Sequence, residues 1–197
     1  MPATTLAKLV SFGVYLSQRQ VPMKKPFIVL FTFLTFFSLL NAGEFSNTLE
    51  VKIRALVNVE RVKYGLKPLK KNLTLGKIAR GHSVDMTVRD YTDHVDPDGL
   101  DPTGRAKKAG FKTTIKRGNI TRVGVGENIY ETQSYMEENG VKTPYLEKLD
   151  IVANKAIVGW MNSPGHRKNI LNPDYTMEGT GAAVSKDKKV KVTQMFF

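Results

Sequence analysis

The chain has 197 residues and a formal net charge of +12, and it contains no cysteine. The missing cysteines exclude disulfide bonds, thiolate zinc sites, a cysteine nucleophile and a lipid-modified N-terminal cysteine. The charge favours anionic partners such as envelope polymers or lipid head groups; we expect no nucleic-acid partner, because the lysines are scattered and match no known binding motif.

The N-terminal region has the layout of an export signal. A basic Met-Lys-Lys at residues 23–25 precedes an apolar run at 27–40 and small residues at 42 and 43, which predicts a signal peptide over residues 23–42. We interpret residues 1–22 as a misassigned start. A retained membrane anchor is the alternative, but the apolar run is shorter than the roughly 20 residues that span a bilayer. Cleavage would leave one secreted or periplasmic domain, residues 43–197, which we expect to be monomeric and to contact membrane only through its leader.

Two helices are predicted at the start of this domain. Apolar residues recur at helical spacing from residue 47 to 64, and Asn47 with Glu50 offers a capping box. A second helix is predicted over residues 73–89. His82 shares the apolar stripe of this second helix, so we predict a hydrogen-bonded core histidine rather than a site residue.

The middle of the chain alternates between short elements. Residues 103–109 predict a short helix closed by a glycine, and residues 111–130 mix β-branched residues with glycines and predict strands and loops. The polar stretch 131–143 is predicted to be a surface loop, and helical spacing returns over residues 146–161.

The C-terminal part predicts a helix start followed by a hairpin. A Ser-Pro-Gly sequence ends the preceding helix and sets His166 in the first turn of a short one. Residues 179–184 and 190–196 predict two strands around a charged turn. Helices that frame a small, mostly antiparallel sheet make an α+β layered domain.

Several motifs occur in a characteristic order. They are Ala79-x-x-His82-Ser83-x-Asp85-Met86, Tyr91-Thr92-Asp93-His94 before Asp96-Pro97-Asp98-Gly99, Arg105 with Ala109-Gly110, Gly126-Glu127-Asn128, Trp160 ahead of Ser163-Pro164-Gly165-His166-Arg167, and Thr193-Gln194-x-Phe196. This order resembles the CAP superfamily of cysteine-rich secretory proteins, venom allergens and pathogenesis-related proteins, in its compact bacterial or archaeal form. The resemblance covers roughly residues 49–197 and implies a three-layer α-β-α sandwich.

The resemblance also implies that His94, Glu127 and His166 line one cleft. Two imidazoles and a carboxylate are a ligand set of catalytic zinc, so we predict a divalent metal site, with zinc as the expected ion. The alternative is a hydrogen-bonded group that ties the loops to the sheet without an ion. The family often has a second glutamate in this cavity, and this chain offers Asn162 or Ser163 there instead.

These features favour an exported binding module for a small hydrophobic or anionic envelope ligand over an enzyme. The first alternative is a metal-assisted hydrolase, in which Glu127 would be a metal ligand or a base. The second is a structural or interaction scaffold, whose positive charge would serve only solubility. A hydrolase built on Ser83 or Ser163 has little support, because neither serine lies in a Gly-x-Ser-x-Gly elbow.

Overall fold

The computed structural model describes residues 27–118, 120–144 and 149–197. The predicted misassigned start at 1–22 lies outside these residues, as does the first part of the predicted signal peptide. The rest of that signal peptide belongs to the first helix, so its cleavage stays a prediction. No helix in the described ranges is long and apolar enough to cross a membrane.

The described part of the chain contains five helices and eight strands. The helices are α1 (Phe27–Lys63), α2 (Leu73–Val88), α3 (Pro102–Lys108), α4 (Leu149–Asn162) and α5 (Pro164–Ile170). The strands are β1 (Lys70–Lys71), β2 (Thr114–Arg117), β3 (Ile120–Val123), β4 (Gly126–Gln133), β5 (Tyr135–Glu138), β6 (Val141–Pro144), β7 (Met177–Val184) and β8 (Lys189–Phe196).

The central sheet has the strand order β1-β7-β8-β4. The strand β1 runs parallel to β7, whereas the β7–β8 and β8–β4 pairs are antiparallel. Helices α1, α4 and α5 cover one face, and α2 packs on the other face against β7 and β8. This arrangement confirms the predicted α+β sandwich of three layers and its closing hairpin.

Two hydrophobic cores lie on the two faces of the sheet. The larger one joins α1, α4 and the sheet and includes Leu49, Trp160 and Phe196, and the smaller one joins α2 and α3 to the sheet around Leu75 and Met195. Burying each of these large side chains contributes roughly 1.5–3 kcal/mol. The indole of Trp160 also donates to the carbonyl oxygen of Ile129 at 2.8 Å, which fixes α4 against β4.

The helix α2 lies unusually close to β7 because two glycines leave room for it. A Cβ at Gly179 would lie 2.1 Å from the backbone nitrogen of Gly76, and one at Gly181 would lie 2.0 Å from that of Arg80. The hydroxyl of Ser83 donates to the carbonyl oxygen of Gly181 at 3.0 Å. This contact fixes the end of α2, from which the chain continues towards His94.

Two local predictions are wrong. Asn47 and Glu50 do not cap a helix, because α1 already runs from Phe27 and satisfies their backbone groups within the helix. Their side chains instead bind Arg80 of α2. Residues 131–143 are not a loop: β4 continues to Gln133 and β5 pairs with β6. The turn of this hairpin is Asn139-Gly140, and both residues have positive φ, as a type I′ turn requires.

Candidate functional site

The fold brings His94, Glu127 and His166 to one place. His94 lies in the loop between α2 and α3, Glu127 is the second residue of β4, and His166 lies in the first turn of α5. The Nδ1 atom of His94 is 2.9 Å from Oε1 of Glu127. The rings of His94 and His166 lie 6.1 Å apart between their centroids, at a tilt of 52°. The ion that they are predicted to bind remains a prediction.

Glu127 is a buried carboxylate with both oxygens engaged. Its side chain is only 1% exposed, and Oε2 accepts from the guanidinium of Arg105 at 2.7 Å, while Oε1 faces His94. A carboxylate this deeply buried needs a paired cation and good hydrogen bonds. The Arg105–Glu127 pair meets both conditions, and it therefore fixes the carboxylate in one orientation.

Arg105 is the main site residue whose role the sequence did not reveal. Besides Glu127, its guanidinium donates to the carbonyl oxygens of His94 and Leu100, both at 2.8 Å. The same side chain thus positions both the carboxylate and the loop that carries the histidine. The available signal was the motif match at Arg105, but its partner lies 22 residues away and no local spacing rule predicts the pair.

The two cleft imidazoles have opposite pKa shifts. The hydrogen bond to Glu127 raises the pKa of His94, whose side chain is 44% exposed. Burial lowers the pKa of His166, and the charge of His94 lowers it further. Because of these shifts, His166 is the neutral imidazole of the pair over the wider pH range, and His94 is the one that protonates more readily.

An amide network holds α5 against the start of β4. The side-chain amide of Asn128 donates to the carbonyl oxygen of His166 at 3.1 Å. Asn169 donates to the carbonyl oxygen of Glu127 at 3.0 Å and to Oδ1 of Asn128 at 2.9 Å. The backbone of Gly126 lies so close to Tyr175 that a Cβ would be 2.6 Å from its hydroxyl oxygen. These contacts set the position of the His166 ring relative to the carboxylate.

His82 lies next to Glu127 as a buried and hydrogen-bonded histidine. Its Nε2 atom is 3.0 Å from the carbonyl oxygen of Asp93, and its Nδ1 atom is 3.3 Å from the hydroxyl of Tyr91. Burial lowers the pKa of His82, although Glu127 lies 3.9 Å from Nε2. The prediction that His82 is a satisfied core residue agrees with these contacts.

The donor set fits a metal ion only in part. In residues 27–118, 120–144 and 149–197, no group of three or more His, Asp or Glu side chains forms a ready cation cage. Glu127 is held by Arg105 and by His94, which leaves Nε2 of His94 and the ring nitrogens of His166. A carboxylate that hydrogen-bonds the far nitrogen of a ligating imidazole is a common outer partner at metal sites. The residues thus fit a two-imidazole site that a ligand or water would complete.

Ser83, the possible nucleophile next to His82, makes its hydrogen bonds to the sheet. The hydroxyl of Ser83 is buried, donates to the carbonyl oxygen of Gly181 and accepts from the hydroxyl of Thr193 at 2.9 Å. Its role is to join α2 to the sheet. A serine hydrolase based on this residue has no geometric support.

The order of motifs and the three-layer fold agree with comparison to known proteins. Residues 54–196 match the model of the cysteine-rich secretory protein family, CAP. The chain belongs to the CAP family. This CAP domain contains no cysteine despite the family's name, so its layers are held without disulfide bonds.

Relatives of this CAP domain occur in Bacillus subtilis. The protein YkwD is 40% identical over 134 residues, which cover 67% of this chain and 41% of YkwD. The membrane protein YlbC is 37% identical over 135 residues, which cover 68% of this chain and 31% of YlbC. The chain therefore matches less than half of the length of these relatives.

Solved structures share the fold. An extracellular protein with an SCP domain from Bacillus anthracis superposes with a TM-score of 0.55 at 28% identity, covering 77% of this chain and 41% of that one. An outer surface protein of Borrelia burgdorferi superposes with a TM-score of 0.54 at 18% identity, covering 73% of this chain and 86% of that one. The second likeness concerns the fold alone.

The CAP domain also has an apolar groove with a basic rim. The groove has a volume of about 560 Å³, and its walls include Phe111, Ile115, Met177, Phe197 and the two lysines Lys112 and Lys116. The rings of Phe111 and Phe197 pack edge to face, with their centroids 5.0 Å apart. An apolar floor beside two ammonium groups suits a ligand with an apolar body and an anionic head.

Proposed function

We propose that this CAP domain is an extracytoplasmic binding module. Its cleft binds a divalent metal ion, with zinc as the expected ion, through the imidazoles of His94 and His166. The observation that carries this proposal is the 2.9 Å hydrogen bond between Glu127 and Nδ1 of His94. It orients the ring so that its other nitrogen is free for a ligand. Bound zinc would supply a Lewis-acid position with open sites for a ligand.

Export rests on two observations. The basic and apolar residues at 23–40 have the layout of a secretory leader. The related structure from Bacillus anthracis belongs to a protein described as extracellular. A small ligand with an apolar or anionic character, matched to the groove at Phe111 and to the positive charge of the domain, is the partner that we propose outside the cytoplasm.

The arrangement favours binding over hydrolysis. A metal-assisted hydrolase needs a base within reach of the attacking water. Glu127 is buried, and both of its oxygens already accept hydrogen bonds, so it serves orientation better than proton transfer. Asn162 lies near the position of the family's second glutamate. It is exposed, and its amide cannot act as a base.

Zinc titration calorimetry of the full chain tests the proposal. We expect saturable binding that is lost in His94→Ala and in His166→Ala, and retained in the control Lys168→Ala, an exposed residue on the same helix as His166. Equal heats in all four proteins would refute the metal site. A titration with decanoate and an assay with an ester substrate distinguish the binding module from the hydrolase. Decanoate binding should survive a chelator, whereas hydrolysis of the ester would stop with a chelator and in His166→Ala.

A further inference from the structure

A small polar pocket lies at the outer edge of the sheet, where α1 and α2 meet over β7. We call it the edge pocket, and its volume is about 160 Å³. None of the three cleft residues contributes to its walls. The residues that matter here are Glu50 and Arg54 of α1, Lys71 of β1, Asn72 and Arg80 at α2, and Glu178 of β7.

Arg80 and Glu50 form an ion pair in the edge pocket. The guanidinium of Arg80 donates to both oxygens of Glu50, at 2.8 and 2.5 Å. Oε1 of Glu50 also accepts from the backbone nitrogen of Ala182 at 2.9 Å. The opposite charges of this pair largely compensate each other, so it adds little net charge to the edge pocket.

Glu178 is the second carboxyl group of the edge pocket, and it is deeply buried. Its side chain is 1% exposed, and Oε2 accepts from the hydroxyl of Thr180 at 2.7 Å and from the amide of Gln194 at 3.2 Å. Oε1 has no hydrogen-bond partner among the residues that the structure describes. Burial raises the pKa of Glu178, against the opposing effects of its two hydrogen bonds and of the charges of Arg54 and Lys71.

Arg54 and Lys71 share Glu178 as their anionic neighbour, and one carboxyl group cannot neutralise two cations. Nε of Arg54 lies 3.9 Å from Oε1 of Glu178, which is beyond hydrogen-bonding distance. Within the described residues, the guanidinium of Arg54 makes no hydrogen bond and the ammonium group of the exposed Lys71 makes no ion pair. The N-terminus of α2, capped by Asn72, adds a partial positive charge at the same place.

We propose that the edge pocket binds a small oxyanion of the phosphate class, held by Arg54 and Lys71. The planar fork of a guanidinium matches two phosphate oxygens, and an ammonium group serves a third. Even with Glu178 ionised, the pocket has three cationic side chains against two acidic ones. Its volume suits inorganic phosphate or a short ester such as glycerol phosphate, the kind of end group that an anionic polymer presents, and excludes a nucleotide.

Calorimetric titration of the full chain with inorganic phosphate, and separately with glycerol 3-phosphate, tests this site. We expect saturable binding of at least one of the two, about tenfold weaker or more in Arg54→Gln, because a bidentate charged hydrogen bond is lost. Lys71→Gln should weaken binding several-fold, and because Lys71 is exposed we expect this variant to fold as the original chain does. The matched control is Lys63→Gln, an exposed lysine on α1 that lies outside the edge pocket.

Each outcome decides the proposal. Saturable binding that Lys63→Gln retains and Arg54→Gln loses supports it, and the better of the two probes tells free phosphate from a phosphate ester. Absence of saturable heat with both probes overturns it, as does equal weakening in Lys63→Gln, which would indicate general charge attraction. Acetate binding as tightly as phosphate overturns the phosphate class. Binding should persist in His94→Ala, so this test is independent of the metal proposal.

Discussion

Replacing Gly181 with alanine tests whether the close contact between α2 and β7 fixes the positions of both layers. The added Cβ would lie 2.0 Å from the backbone nitrogen of Arg80 and 2.4 Å from the carbonyl carbon of Ala79. Both atoms belong to the helix backbone and cannot turn away as a side chain does. The helix has to retreat by about 1.4 Å before the shorter approach becomes an ordinary 3.4 Å contact.

The energetic cost follows from the packing around α2. Overpacking a core costs typically about 1–3 kcal/mol, and a clash with the rigid backbone of a helix belongs at the upper end. A retreat of α2 also loosens the contacts of Leu75 and Met86, which are fully buried. We expect Gly181→Ala to lower the free energy of unfolding by about 3 kcal/mol, and Tm by roughly 6–12 °C for a domain of this size.

Urea unfolding of the full chain measures this loss through the fluorescence of Trp160, the single tryptophan, which is buried. Gly81→Ala is the matched control, because it changes the same helix at a position with nothing within 4 Å of the added Cβ. The control should be neutral or stabilising by up to about 1 kcal/mol. A stability of Gly181→Ala within about 0.5 kcal/mol of the original chain would show that the close approach of helix and strand is not rigid.

Two further predictions concern buried charges. The folded state holds the proton of Glu178 to higher pH than the unfolded chain, whose glutamates titrate near about 4.3, because burial raises the pKa of Glu178. The free energy of unfolding therefore falls as the pH rises from that value through the raised pKa of Glu178. In thermal melts across pH, Glu178→Gln should remove the part of this fall that Glu178 causes. Parallel curves of Tm against pH for both proteins would contradict the prediction. Glu127→Gln removes the carboxylate that pairs with the buried guanidinium of Arg105 at 2.7 Å and leaves the more distant Asp96, at 4.0 Å, so we expect a loss of about 3 kcal/mol in urea unfolding. A loss below about 1 kcal/mol would mean that the pair is more hydrated than its 9% and 1% exposure indicates.

Local signals in the sequence predict most of the helices and the closing hairpin. Asn72 caps α2 through its side chain, and Asp101 caps α3 ahead of Pro102. Such signals act within three or four residues, so they are visible without the fold. The hairpin of β5 and β6 also had a local signal in Asn139-Gly140, but the polar composition around it favoured a loop.

Local sequence signals do not predict contacts between residues that are far apart in the chain. The convergence of His94 with Glu127 was expected only from the family resemblance, and the role of Arg105 was not expected at all. The strand β1 has two residues, too few for a periodic pattern, and it is set by its parallel pairing with β7. The role of Glu50 depends on a helix and a strand that lie 30 and 132 residues away.

Among the residues that the structure describes, the short β1 pairs only with Met177 and Glu178 and leaves the rest of the outer edge of β7 without a strand beside it. Glu50 accepts the amide of Ala182 on this edge, and Arg80 holds the carboxylate in place. A strand from another molecule could pair here only after displacing this ion pair and desolvating its charges. Side chains thus occupy backbone hydrogen-bonding capacity at this edge, which disfavours the addition of a strand from another molecule.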